Sequence, residues 1–533
     1  MERAKQTTDL PDRWALWATW AGVAGTFLAL LSQLRVVDLD MFHQMALFRE
    51  ALTQGWVPRD DVFAYTPTVS PVVHHEWGTG AVLYLVTVAA GTGAAGLMIL
   101  KYLLAAATAG TCVGCARRRG ADPWLIAWLA VPAMVIGRIG FTTIRAQVFT
   151  LLLLAVLLWL LDEDRRGRRW WIALWLPLFV LWLNLHAGFV VGFGLFGLHV
   201  VEQTLRALGQ GATWRQLPRR VGHLAATGAA MVALLGVNPY GYKYVPYLLH
   251  AIGLERPLVA EWRPLWQMFS GSEILFPIVY AITLAVVVYA VACRGVRKLP
   301  GLLLVLAAAY LAARHFRHLS LYAVVWICYV PAYLEETGLE RAVRQTAIRR
   351  KKPLTAFWLV VAVLGVIGAG ANRFWQPRMP TAQGEEQPGV PVYPAGVVAY
   401  LAERGFSGNL MVPFDAGSFV SWKLFPKVKV SLDSRYEAAY PPEAADCSVR
   451  FYGAAPDWKA ILRRDPTDAV LVARGCPLDA AFEAACGQAD PDAPFDWRLV
   501  YRDDGFSLFA RSDFAAGWPR VDRRGKPIPA GFP

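Results

Sequence analysis

Residues 14–34 read WALWATWAGVAGTFLALLSQL, and residues 35–40 continue RVVDLD. The first run is long enough to cross about 30 Å of hydrocarbon as a helix. It is too long for a signal-peptide core and carries no cleavage site, so it reads as an uncleaved first span. The second run places two aspartates, Asp38 and Asp40, where the apolar stretch ends. Carboxylates are costly near hydrocarbon, so the pair either does chemistry or marks the membrane surface.

Working outward, the same pattern recurs. The 533-residue chain is 56% hydrophobic, and its mean hydropathy is positive. Eleven spans are expected, at 14–34, 94–116, 121–137, 146–161, 170–184, 187–205, 221–237, 273–293, 299–313, 318–334 and 354–372. A twelfth apolar stretch, Trp77 to Ala90, reads as a helix lying in or near the interface. Counting it as a span would put the run Arg117 to Arg119 on the wrong side. The net charge of +13 resides in short basic runs between spans, such as Arg165 to Arg169 and Arg341 to Lys352. That is the positive-inside pattern, and it places the N-terminus in the cytoplasm. With no nucleic-acid-binding motif beside these runs, nucleic acid is excluded as a partner.

The fold class expected is therefore a polytopic α-helical membrane protein with a C-terminal soluble α/β domain. Residues 1–372 form the transmembrane domain, with a first extracytoplasmic loop at 35–93. Prolines from Pro377 to Pro394 mark a linker at 373–395, and 396–533 form the extracytoplasmic α/β domain. In this tail, Asn409–Pro413, Val428–Leu432, Asp468–Ala473, Trp497–Tyr501 and Phe506–Ala510 read as strands. Gly417–Leu424, Trp458–Arg463 and Asp479–Cys486 read as helices. The tail has neither a P-loop nor a Gly-rich dinucleotide loop. An extracytoplasmic tail allows one disulfide among Cys447, Cys476 and Cys486, with Cys476–Cys486 the favoured pair.

Loop charge puts the chemistry-bearing residues on one face. Asp38 and Asp40 point the same way if extended and diverge on a helix. Asp40 can act as a general base or, with Asp38, hold a divalent cation such as Mg or Mn; helix capping is the plain alternative. His43 shares a helical face with Asp40. His74, His75 and Glu76 diverge on any regular backbone and lack zinc spacing, which leaves Glu76 and His75 as neighbours for Asp40. Arg138, Arg145, Arg314 and Arg317 oppose the positive-inside bias. Arginine forks suit phosphate, and His315 and His318 add donors; ordinary anionic headgroups are the alternative partner. Asn184 and His186 sit at a helical break, and Glu261 beside Trp262 reads as an interfacial anchor. Asp433 and Arg435 read as a structural ion pair.

These residues also resemble a known family. Asp40-Met41-Phe42-His43, Gly55 to Thr66, His75-Glu76-Trp77, Arg145-Ala146-Gln147, Asn184 to Gly188, Asn238 to Gly241, Glu261-Trp262 and Arg317 to Leu321 follow in order. Phe414 to Gly417 and Leu432 to Arg435 continue the series. Together they resemble bacterial multi-pass membrane glycosyltransferases of the GT-C type, in a branch with an extracytoplasmic C-terminal α/β domain. Met41-Phe42 replaces that branch's tandem tryptophans, and the expected proline is missing after Arg145. The resemblance implies a protein of the bacterial inner membrane. It would move a sugar from a polyprenyl-(di)phosphate donor to an extracytoplasmic glycan, lipid or protein acceptor. Catalytic residues would be Asp40, Asp38 and Glu76, and the donor phosphate would meet Arg138, Arg145, Arg314, His315, Arg317 and His318. His43, His75, Asn184, His186 and Glu261 would support them. The rival reading is a non-catalytic lipid-binding scaffold or a transporter for a lipid-linked saccharide.

Overall fold

The computed structural model describes residues 10–141, 145–254, 260–269, 273–381, 392–486, 496–518 and 532. Part of the expected linker, including Pro388 and Pro391, lies outside them. Helices run in order as α1 (Leu10–Gln33), α2 (Leu39–Gln54), α3 (Trp77–Tyr84), α4 (Gly93–Arg118), α5 (Pro123–Gly137), α6 (Ala146–Arg165), α7 (Trp171–Leu185), α8 (Phe189–Gly209), α9 (Leu217–Leu234) and α10 (Tyr244–Gly253). Then come α11 (Leu275–Arg294), α12 (Leu302–Arg314), α13 (Leu319–Tyr333), α14 (Gly338–Arg349), α15 (Lys351–Ala371) and α16 (Ala395–Glu403). The remainder is β1 (Gly408–Met411), α17 (Phe414–Leu424), β2 (Val428–Val430), α18 (Pro442–Tyr452), α19 (Trp458–Arg464), β3 (Ala469–Ala473), α20 (Pro477–Cys486), β4 (Trp497–Arg502) and β5 (Phe506–Arg511).

A helix thus lies at each range read as a span. Among the described residues, six helices (α1, α4, α5, α6, α11 and α15) are long and apolar enough to cross a membrane, and the chain is a multi-pass membrane protein. Helices α7 and α12 are apolar but shorter, as is Trp77–Ala89, where α3 continues into a π-helical turn. At 1.5 Å per residue that last stretch spans about 20 Å, short of the hydrocarbon thickness.

The chain divides into two compact units. Unit 1 holds Met1–Arg35, Met98–Val237 and Ile252–Gln376; unit 2 gathers Val36–Leu97, Asn238–Ala251 and Pro377–Pro533. These units run across the expected boundary at 372, since residues of the first loop form one compact body with the tail.

In unit 1, α1 packs along α15 through small residues. A Cβ on Gly25 would lie 2.8 Å from Ala362 Cα, and one on Gly365 would lie 2.4 Å from Gly25 O. Without side chains at these points the backbones approach closely, which is how helices gain packing contacts in lipid. Helix α6 is the most enclosed of the six, with 83% of its apolar window buried. It ends in Asp162, Glu163 and Asp164, negative charge at the terminus where the helix dipole disfavours it. Basic neighbours offset the cost. Arg166 Nε lies 3.0 Å from Asp162, Arg168 Nη1 lies 2.7 Å from Glu163 and Arg169 Nη1 lies 2.8 Å from Asp164. Arg118 also pairs with Glu163, and His223 Nε2 sits 2.7 Å from Asp164. These arginines therefore have a packing task beside their topological one.

In unit 2, five strands form one sheet in the order β2-β1-β3-β5-β4. β2, β1 and β3 are parallel, and β5 and β4 run antiparallel to complete it. The strands expected from sequence are all present; helices α16 and α18 were not foreseen. The first loop extends the sheet past β2. Tyr65 N donates to Val430 O at 3.1 Å and Val430 N to Phe63 O at 3.0 Å, so the loop covers an otherwise open edge. Met41 and Phe42 are fully buried, with the Phe42 ring 5.5 Å from Tyr393 and 5.1 Å from Phe419. The residues that depart from the tandem tryptophans thus fill the core of this unit. All seven cysteines are free, so the favoured Cys476–Cys486 pairing is not formed.

The α1/α15 seam yields a first test. Gly25→Leu should push the helices apart and cost about 1–3 kcal/mol, as overpacking does. The readout is a lower thermal midpoint in detergent, while Gly110→Leu, at a glycine with open space around it, should leave the midpoint unchanged.

Candidate functional site

In unit 1 the expected phosphate-binding residues separate into a cluster and two outliers. Arg145 precedes α6, Glu261 lies in the 3-10 turn Ala260–Trp262, and Arg317 lies in the 3-10 turn Phe316–His318. Arg145 Nη1 donates to both Glu261 oxygens at 2.9 Å, and Arg317 Nη1 lies 3.5 Å from Glu261 Oε1. One carboxylate is shared by two guanidiniums. Burial works to raise the Glu261 carboxyl, but Arg145 and Arg317 outweigh it and hold it below its ordinary range.

Trp262 is the platform for the rest. The Arg317 guanidinium sits 4.7 Å from its ring centroid, and the His315 and His318 rings meet it edge-on at 5.1 and 5.9 Å. His315 Nδ1 also hydrogen-bonds the Trp262 carbonyl at 2.9 Å, and Phe316 N donates to Arg263 O at 2.9 Å. Gln147 Nε2 donates to Arg317 O at 3.2 Å and to Ser320 Oγ at 3.1 Å, fixing the turn that carries Arg317.

Arg138 turns instead to the Phe276 ring, 4.8 Å away, and Arg314 is exposed at the end of α12. Asn184 and His186 hold the break between α7 and α8. Asn184 Nδ2 donates to Val180 O and Val237 O at 2.8 and 2.9 Å, and His186 Nδ1 lies 2.7 Å from Thr150 Oγ1. Gly188 must be small here, since a Cβ would fall 2.6 Å from both His186 Nδ1 and Thr150 Oγ1.

Unit 2 carries the acids. Asp38 is the N-cap of α2: it accepts from Asp40 N at 2.9 Å, and Asp40 follows in the first helical turn. The two carboxylates therefore leave the chain in different directions. Sequence reasoning missed a third acid, Asp415, in the first turn of α17. Partial desolvation of its carboxyl and then the charge on Asp38 push Asp415 above its ordinary range. Its motif was in view, but only the packing of α17 on α2 brings it near Asp38. Among the described residues no three His, Cys, Asp or Glu side chains gather to hold a metal. An ion at Asp40 would have to draw its other ligands from substrate and water, as Mg commonly does.

Further along α2, His43 Nδ1 lies 2.9 Å from Ser434 Oγ, which lies 2.8 Å from Ser418 Oγ. Gln44 Nε2 donates to Glu76, whose other oxygen lies 3.6 Å from His75 Nε2; Tyr247 OH sits 2.9 Å from His75 Nδ1. The turn Asn238 to Gly241 contributes as well: Tyr240 OH accepts from His74 N at 3.0 Å. Beneath them Arg435 forks Asp433, with Nε to Oδ1 at 2.8 Å and Nη2 to Oδ2 at 2.7 Å, and also pairs with Asp61 of the first loop. Asp433 is wholly buried, so removing one partner of this cluster would strand a charge at about 3–5 kcal/mol.

Among the solved structures that the chain resembles, two illustrate the likeness. One is the Archaeoglobus fulgidus oligosaccharyltransferase tethered with an acceptor peptide. Its TM-score is 0.53 and its identity 12%, over 86% of this chain and 69% of that one. The other is ArnT from Cupriavidus metallidurans bound to undecaprenyl phosphate, with a TM-score of 0.50 and 16% identity over 93% of this chain and 98% of that one. No protein-family model and no curated protein sequence matches.

The buried histidine makes a pH prediction. Burial, then the opposing effects of Asp433 and Arg435, brings His43 from 6.5 down to about 4. The unfolded chain takes up a proton below 6.5 that the folded chain refuses, so the stability is present above 6.5 and is lost as pH falls towards 4. The loss attached to His43 is about 3 kcal/mol. His74, also lowered by burial, adds in the same direction. Melting temperatures should fall across this window, and His43→Gln should flatten part of the slope; an unchanged slope would refute the assignment.

Proposed function

Because the chain has the GT-C membrane-glycosyltransferase fold, we propose that it transfers a sugar from a polyprenyl-(di)phosphate to an acceptor outside the cytoplasm. The observation that carries this reading is the Arg145–Glu261–Arg317 assembly against Trp262. Two guanidiniums organised at one anionic group suit a phosphate leaving group, whose charge grows as the sugar departs.

In the proposed reaction, an Asp40 carboxylate oxygen accepts the proton of an acceptor hydroxyl as that oxygen bonds to the anomeric carbon. The bond from that carbon to the phosphate oxygen breaks, and its electron pair leaves with the phosphate. Asp38 caps the helix that presents Asp40. Glu76 acts through Gln44, Arg314 and His315 flank the phosphate-binding turn, and Arg138 plays no direct part. With Asp38 turned to its capping role, a divalent cation would bind at Asp40 and supply positive charge there. The chain would lie in the bacterial inner membrane with its α/β domain outside the cytoplasm.

The test uses full-length protein in proteoliposomes loaded with radiolabelled lipid-linked sugars extracted from the producing cells. Wild type should move label from the lipid fraction to an envelope acceptor. Asp40→Asn should lose at least about 100-fold of this rate, the scale of general-base removal, with an unchanged thermal midpoint. Full transfer by that variant would exclude Asp40 as the base. Lipid retained on wild type without any transfer would favour the scaffold reading.

A further inference from the structure

The basic run Arg341 to Lys352 reads in sequence as a topology signal, but in the structure it builds a corner between two helices. Thr337 caps α14, its side chain accepting from Glu340 N at 3.5 Å. One side of α14 meets protein: Leu339 N donates to the Tyr289 hydroxyl at 3.3 Å, and Ala347 is buried. The other side carries Arg341, Arg344 and Ile348, which helical spacing sets in one row and which are all exposed.

After Arg350 the chain turns into α15, the least enclosed of the six long apolar helices, with 17% of its apolar window buried. Its inner side lies parallel to α1, with Trp358 against Gly22 and Ala362 against Gly25. Its outer side shows Phe357, Val360, Val363, Leu364 and Ile367, each more than half exposed. Such a wall suits hydrocarbon. Arg349, Arg350 and Lys352 are exposed at its head, and Lys352 shares an outward row with Leu359 and Val363. Counting back equally along both helices from the Gly22–Trp358 contact sets Trp14 level with Arg350. Trp14 and Trp17 are each 70% exposed there, as tryptophans are at the headgroup level of a bilayer.

We propose that the α14–α15 corner binds an anionic phospholipid of the bilayer. Its phosphate meets Arg344, Arg349, Arg350 and Lys352, and its acyl chains lie along the exposed wall of α15. Cations alone would take any anion, and an apolar wall alone any lipid. Their junction on one outward face fits a molecule with a charged head and a hydrocarbon tail. Guanidiniums fork phosphate oxygens, and Lys352 can lay its stem on the wall while its ammonium rises to the headgroup. The arginines at the end of α6 are held by acids. Among the described residues no carboxylate holds Arg344, Arg349, Arg350 or Lys352. This lipid is a resident of the membrane and takes no part in the proposed transfer reaction.

The experiment incubates full-length protein in detergent with equal amounts of dioleoylphosphatidylglycerol and dioleoylphosphatidylcholine, which differ only in the headgroup. Native mass spectrometry then reads which lipid stays bound. Wild type should retain phosphatidylglycerol in preference by at least about tenfold, and that lipid should raise its thermal midpoint. Arg344→Gln alone should cut the preference about fivefold, the weight of one basic side chain at an anionic surface. Adding Arg349→Gln, Arg350→Gln and Lys352→Gln should abolish it, whereas Arg344→Lys with Arg349→Lys keeps the charge and should keep the preference. Arg297→Gln with Lys298→Gln, at an exposed basic turn elsewhere, should leave it unchanged. Equal retention of both lipids by wild type would overturn the proposal, as would an unaltered preference in the fourfold variant or an equal loss in the Arg297/Lys298 variant. Displacement of the bound lipid by millimolar inorganic phosphate would overturn it too, by showing a site for a soluble anion.

Discussion

A guanidinium or carboxylate that cannot reach bulk water must find an opposite charge, and this constraint organises each unit of the chain. Desolvation of an unpaired ion costs several kcal/mol, more than most single contacts return. In unit 1 it shapes both ends of α6: three acids at one end are met by a ring of arginines and a histidine, and Arg145 at the other end meets Glu261. In unit 2 it fastens the first loop to the sheet, through Arg435 between Asp433 and Asp61. Much of the arginine excess is thus packed into structural pairs.

Pairing and function compete for the same groups. The Arg145–Glu261–Arg317 cluster is built like the structural pairs, yet both arginines and the carboxylate keep roughly a fifth to a third of their side chains exposed. The Asp433–Arg435 pair is sealed almost completely. That difference is why the first is proposed as a site and the second is read as a fastening. A sealed pair has no capacity left for a ligand, whereas a half-exposed one can exchange part of its charge for a phosphate. Trp262 makes the open arrangement stable, because it orients Arg317 and two histidine rings without consuming their polar edges.

The residues differ in how far they could be read beforehand. Apolar length and basic loops located every span-like helix, since the hydrophobic period is local and survives any tertiary context. The strands of the tail were equally legible. Asp38 was readable as a cap, because capping needs only the two residues that follow it. Asp415 was not, since its closeness to Asp38 depends on α17 lying against α2. Arg138 and Arg145 looked equivalent in sequence, yet one faces a phenylalanine ring and the other a carboxylate. Loop charge cannot distinguish them, because that choice is made by a turn over a hundred residues away.

Sequence by itself determined that this chain crosses a membrane many times, that it ends in an α/β domain, and which residues carry the expensive charges. Local periodicity and the cost of charge near hydrocarbon suffice for that. Tertiary structure alone decided which charges are spent on each other. It assigned Glu261 to two arginines, Asp61 to Arg435 and the first loop to the body of the tail. The reason is that pairing depends on distance in space, and these partners lie from tens to hundreds of residues apart along the chain.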